Sequence, residues 1–320
     1  MILLKVKYIR AGITRKVYNI LLILIFFYCI KVYAYPWPLD LGFFQERITA
    51  TFGEFRDAGQ SLNHCYNVIH LHDGVDMNTG TDDRTVWGVE SEQVIQVTSS
   101  SVYTNYHDFQ HLTNIQVSVG DYIDMATFLG NYSTYLNHLH FSDEPYRTED
   151  GEDCGNENNP LFYLEPYLDN IDPVIDEIKF IKDNKDPPEL FSGNPPVISG
   201  DIDIAVKAHD AVIPGGSNNG IYKIEWEVVE TIPYTLNIEF YHASSLWNVN
   251  LIYVSSWSNT VTNWYNVTNE MTFNSYWHTS DYLDGIYMIC VKAYDWPSGY
   301  TESCMDVIID NSSAIGNEKK

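Results

Sequence analysis

Basic residues are scarce in this chain of 320 residues: 18 Lys and Arg stand against 43 Asp and Glu, a formal net charge of −25 at pH 7. Such a surface repels the phosphates of nucleic acid, which excludes that class of partner. The acidic excess is read as a solubility device. Cysteine is also scarce, with five in all. No apolar run is long enough for an ordinary membrane span: Val17–Ile30 is fourteen residues, where a spanning helix needs about 20. No repeat or low-complexity tract appears, and no convincing long helix. Pro173 breaks the one 3.6-residue pattern, in "EPYLDNIDPVI".

What the chain does have is 45% hydrophobic residues and 14% aromatics, including 24 tyrosines. That composition predicts a folded, strand-rich protein. At the N-terminus Lys5, Lys7, Arg10, Arg15 and Lys16 precede the short apolar run, and "VYA" (Val32–Ala34) follows it. This is the pattern of a cleaved signal peptide over residues 1–34, with an uncleaved anchor as the alternative. The expected location is therefore secreted, periplasmic or at the cell envelope, with no stable membrane association after cleavage. Removing the leader leaves 12 basic and 43 acidic residues, a net charge of −31. Export permits disulfides. Cys290 and Cys304 flank the turn "DWPSG" in two strand-like runs and would face each other across a hairpin, leaving Cys65 and Cys154 as a pair; four cysteines allow three connectivities.

Composition changes near residue 168. Seven of the ten histidines fall between His64 and His140, and the polar, proline-bearing stretch Asp169–Pro196 follows. We divide the mature chain into a first domain at 35–168 and a second at 169–312, with a frayed tail at 313–320. Short alternating runs in the first, Arg47–Phe55, Thr85–Glu90, Gln93–Ser100 and Thr113–Asp124, read as strands. In the second, Asp201–Asp210, Gly220–Glu230, Tyr234–His242, Asn248–Ser256, Met271–His278, Asp284–Asp295 and Glu302–Asp310 read as an antiparallel sandwich. The expected class is all-β throughout.

The histidines carry the chemistry. "HDGVD" offers His72 and Asp76 with Gly74 permitting a turn between them. "NHLHF" offers His138 and His140, which would share one face of a strand, and "FQHL" offers His111. Two imidazoles and a carboxylate suit zinc, whose catalytic sites keep one position for water. Singly, each motif is more often a surface turn or a solvent-facing pair.

In order, these pieces resemble the lysostaphin-like zinc metallopeptidases, which cut peptide bonds in bacterial peptidoglycan. The resemblance spans about Ile48 to Phe141: "ITATFGEFR", "HDGVDM", "TVWGVESEQVI", "HL", "VSVGDYIDMATFLG" and "HLHF". It implies one Zn2+ per chain held by His72, Asp76 and His140, with His111 and His138 as catalytic histidines beside the metal-bound water. It implies peptidoglycan peptides as partners. A non-catalytic wall-binding or scaffold relative is the alternative, and an adhesin acting through the second domain is a third. His70 lacks the H-x-G-x-D context of a ligand, and His107, four before His111, lacks the following leucine and the "VSVGD" strand; His64, beside Cys65, is a disfavoured alternative metal donor. The chain departs from the family pattern in "SSSVYTNYHDFQ", at Ala126, in "NYSTYLN" and at Ser142. The second domain resembles immunoglobulin-like or fibronectin type III-like modules in its closing hairpin; Trp247, Trp257 and Trp264 could contact glycan or pack in its core.

Overall fold

Short alternating runs broken by glycine and asparagine favour pleated strands over helices. The protein is accordingly all-β, built mainly of antiparallel sheets. The computed structural model describes residues 34–39, 48–57, 69–144 and 157–312, apart from 168, 184, 186, 212–215, 218, 242–247 and 298. All but Ala34 of the expected leader, the Cys65–Cys154 pair, His64, Trp247 and the tail lie outside the described residues. Among the described residues no helix is long and apolar enough to cross a membrane.

The first half contains β1 (Ile48–Ala50), β2 (Phe55–Arg56), β3 (His70–Leu71), β4 (Val75–Met77), β5 (Thr85–Trp87) and β6 (Glu92–Val97). It continues with β7 (Ser101–Thr104), β8 (His107–Gln110), β9 (Leu112–Thr113), β10 (Tyr122–Ile123), β11 (Phe128–Tyr132) and β12 (Leu139–Asp143). Among the described residues, one sheet runs β1-β4-β12-β8-β7-β6-β10, a second runs β5-β11-β9, and β2 pairs with β3. β12 lies between β4 and β8 and is buried at every position. Phe109 and Phe141 pack below it with ring centroids 5.3 Å apart.

The second half contains β13 (Val174–Lys182), β14 (Val197–Ile198), β15 (Asp201–His209), β16 (Lys223–Val228) and β17 (Ile232–Glu239). A one-turn helix α1 (Val249–Ile252) follows, then β18 (Trp264–Asn266), β19 (Trp277–His278), β20 (Gly285–Tyr294) and β21 (Tyr300–Ile309). One sheet joins β13, β15, β18 and β19, the other runs β14-β21-β20-β16-β17, and their facing side chains form a sandwich core. Cys290 and Cys304 face each other across β20 and β21 and are disulfide-bonded, as their spacing predicts. Trp264 is buried with Trp257 edge-on to it.

Four segments differ from the sequence reading. Asn248–Ser256 is not a strand: the Asn248 side chain accepts a hydrogen bond from Asn250 N and caps α1. Thr113–Asp124 joins ladders only at its two ends, because Asn114 and Gly120 take positive φ and the Asp121 carboxylate binds Ser118 N. In Met271–His278 only Trp277 and His278 pair, with β15. Conversely, the polar junction holds β13, an edge strand paired along its length with β15 although only Phe180 and Ile181 are buried in it.

The two halves share side chains. Phe52 and Phe55 belong to the same core cluster as Ile204, Trp226, Phe240 and Tyr253. Between them Gly53 sits at φ +84°, where an added Cβ would lie 2.3 Å from the Phe240 ring, and its carbonyl accepts a hydrogen bond from Tyr253 Oη at 2.8 Å. Gly53→Ala is therefore expected to cost roughly 2–4 kcal/mol through backbone strain and overpacking. Chemical denaturation measures this; an unchanged midpoint would show that the Phe240 contact does not constrain the turn.

Candidate metal centre

His72 enters the site from a turn that the backbone pins at both ends. Gly53 N donates to His72 O (2.7 Å), and His72 N donates to Glu54 O (2.8 Å). The buried imidazole donates from Nδ1 to the Thr51 carbonyl at 2.8 Å, which leaves the Nε2 lone pair facing the site. Gly74, two residues on, passes against β12: a Cβ there would lie 2.5 Å from Phe141 O and 2.9 Å from His140 Cε1. Only glycine allows this approach, and it sets Asp76 on β4 directly opposite His140 on β12.

The result is a close triangle of donors. His72 Nε2 lies 3.0 Å from His140 Nδ1 and 3.2 Å from Asp76 Oδ1, and His140 Nδ1 lies 3.0 Å from Asp76 Oδ1. Nitrogen and oxygen ligands at zinc distances in a tetrahedron stand about 3.3 Å apart. The donor set and its spacing therefore fit such an ion. The other nitrogen of His140, Nε2, is within 3.0 Å of Ser142 Oγ and 3.2 Å of Asp73 Oδ1. This outer carboxylate fixes the ring and leaves Nδ1 to the triangle.

Two grouping choices thus exist for the carboxylate, since His72, Asp73 and His140 also lie close enough to share an ion. We favour Asp76, because its Oδ1 contacts both inward-facing nitrogens, whereas Asp73 contacts the nitrogen of His140 that points away. Arg56 steadies the second Asp76 oxygen at 3.9 Å while pairing with Glu54 at 2.9 Å. Burial opposes charge on His140, but Asp73 and Asp76 outweigh it and raise its pKa to about 10. Both carboxylates, although buried, are held below the usual range by the neighbouring histidines. A metal ion held at Nδ1 would take the place of that proton.

The two other histidines stand beside the triangle. His138 precedes β12; its Nδ1 donates to Leu136 O (2.9 Å), and its Nε2 lies 3.6 Å from Asp76 Oδ1. Its ring is 4.8 Å from that of His111, edge to face. His111 links β8 to β9 at φ +66°, a rare conformation outside glycine that lets the chain leave one sheet for another. Burial, then the nearby His140 and His138, push His111 down to about 4, so it is an uncharged imidazole at neutral pH. Asn137 takes φ +59°, which asparagine tolerates and a proline, fixed near −65°, could not adopt. All five residues singled out in the sequence thus meet in one place. Asp73, Thr51, Glu54 and Arg56 lie in the quoted "HDGVD" and "ITATFGEFR" and Ser142 just beyond "HLHF", but the motifs alone assign none of them a role at the site.

Near the site, Tyr132 is core, hydrogen-bonded through its hydroxyl to Thr79, while Tyr135 is exposed. His107 is buried elsewhere, stacked on Phe141 at 5.3 Å with Nδ1 3.1 Å from Glu92 Oε1. Compared with protein-family models and with curated proteins, the chain finds no match.

Burial works against a charge on His107, but the hydrogen bond and charge of Glu92 prevail and raise its pKa. The pair's contribution to stability is therefore full below the unfolded value of about 6.5 and declines as pH rises through the raised folded value. Glu92→Gln should destabilise the fold most on the acid side, with the gap to wild type narrowing at alkaline pH. Unfolding free energies measured across pH test this; a gap independent of pH would show that the pair carries no charge.

Proposed function

We propose that this protein is an exported zinc endopeptidase that hydrolyses peptide bonds in bacterial peptidoglycan, in cross-links or stem peptides. The observation that carries the reading is the donor triangle of His72 Nε2, Asp76 Oδ1 and His140 Nδ1 with His111 and His138 at its side. One zinc ion per chain would be held by those three residues. When bound, it supplies Lewis acidity toward a carbonyl oxygen and lowers the pKa of a water toward about 7.

The chain's own residues handle protons and charge. His111, uncharged and half buried, is suited to accept a proton from the attacking water. His138 presents Nε2 to the same space because Leu136 holds its Nδ1, and once protonated there it can donate to the oxyanion that develops. Asp73 and Thr51 hold the outward nitrogens of the two imidazoles, which aims the inward nitrogens at the space a zinc ion would occupy. The peptidoglycan assignment is supported by the ordered resemblance from Ile48 to Phe141 and by the leader. The Cys290–Cys304 disulfide accords with an oxidising compartment.

Purified protein is expected to contain about one zinc per chain and to release peptides from isolated peptidoglycan, identified by mass. His140→Ala should lose both metal and cleavage. His111→Ala should keep the metal and lose cleavage by about 10²–10⁴-fold. Cleavage by zinc-free His140→Ala would overturn the proposal, and wall binding without cleavage by zinc-loaded wild type would replace the enzyme with a binding module.

A further inference from the structure

Three carboxylates outside the histidine site meet at one end of the sandwich. Asp169 lies in the connector before β13, Asp210 just after β15, and Asp295 at the end of β20; one oxygen of each comes within 4.8 Å of the others. All three are buried. Among the described residues none is paired with a lysine, arginine or histidine. Each is anchored through Oδ1 by a backbone N–H: Ile171 N to Asp169 (2.9 Å), Ala211 N to Asp210 (2.8 Å) and Gly299 N to Asp295. Tyr167 Oη also donates to Asp169 Oδ2 at 3.3 Å. Among the described residues, Oδ2 of Asp210 and of Asp295 receives no hydrogen bond.

An independent observation points to a ligand. Asn219 is completely buried, and among the described residues neither its side-chain oxygen nor its nitrogen has a hydrogen-bond partner. Asn219 and Asp210 form a mutual antiparallel bridge, N to O at 2.8 and 2.7 Å. Directly opposed residues in such a bridge send their side chains to the same face, so the Asn219 amide is aimed where the Asp210 carboxylate is. A buried, unpartnered amide costs about 1–3 kcal/mol unless something satisfies it.

We propose that Asp169, Asp210 and Asp295, with the side-chain oxygen of Asn219, form a calcium site that ties the connector to the sandwich. The donors are all oxygen, which selects a hard cation. Calcium accepts six to eight oxygen ligands in irregular geometry, whereas magnesium demands a near-ideal octahedron and keeps several waters. Three acidic side chains and one neutral oxygen give the charge and the irregular geometry that calcium accepts. Without a cation the cluster is costly in its charged form. Burial first, and then the charge of Asp169, push Asp210 up to about 8 and Asp295 to about 6, and burial raises Asp169 as well. The exposed Asp172 adds like charge, and Tyr167 is the other titratable group at the cluster.

The site is independent of the histidine centre, and the test separates them. Full-length protein stripped by chelator is dialysed against calcium, and bound metal is counted. One calcium per chain is expected, with half-saturation at about 0.1–1 mM. Terbium should bind in its place and emit through energy transfer from Tyr167 and from Trp296, the residue after Asp295, both of which line one small pocket with Asp210. Asp210→Asn and Asp295→Asn should each weaken uptake by roughly tenfold or more, while His140→Ala leaves it unchanged. Asn219→Asp, which adds a fourth carboxylate, should tighten calcium binding and make folding more calcium-dependent. Absence of uptake by wild type at ten times the stated concentration would overturn the proposal. So would uptake undiminished in the Asp210 and Asp295 variants, and the carboxylates would then be sharing protons.

Discussion

The close approach of the Gly74 turn to β12 is the constraint on which the candidate metal centre depends. Phe141 O and His140 Cε1 occupy the space that any side chain at position 74 would need. With no side chain there, the turn lies flat on the strand. His72 and Asp76, four residues apart, then reach the same nitrogen of His140 from two sides. The β4–β12 ladder holds this register, and a slip of one residue would turn His140 to the opposite face.

The centre is also tied to the second half of the chain. Glu54 Oε1 accepts hydrogen bonds from Gly220 N at 2.9 Å and from Thr51 Oγ1 at 2.9 Å, while its other oxygen pairs with Arg56. Arg56 in turn faces Asp76, and Thr51 holds His72 through its carbonyl. A continuous polar chain thus runs from the sandwich to two members of the donor triangle. The apolar counterpart is Phe52 and Phe55, which pack among residues of the second half. The spacing of the donors therefore rests on the packing of both halves.

Much of this was legible from local pattern. Alternation in Glu92–Val97, Asp201–His209 and Gly285–Tyr294 marks strands because side chains there are buried on one face or both, and the ladders follow it. Val174–Lys182 escaped notice because an edge strand is held by backbone hydrogen bonds that leave little trace in side-chain polarity. Asn248–Ile252 misled for the opposite reason: its apolar residues suit a strand or a single helical turn equally, and a side-chain cap decided between them.

For the site, the sequence by itself determined which residue types are present and their order, which is enough to single out His72, Asp76, His111, His138 and His140. Ligand chemistry depends on residue type, and a short motif such as H-x-G-x-D carries its own turn. Only the tertiary structure decided that Asp76 rather than Asp73 faces both inward nitrogens, that Ser142 and Thr51 orient the rings, and that Glu54 links them to the sandwich. Those roles arise from contacts between residues up to 166 positions apart. The same holds for Asp169, Asp210, Asp295 and Asn219, which stand in no common motif and meet because the connector before β13 converges with the ends of β15 and β20.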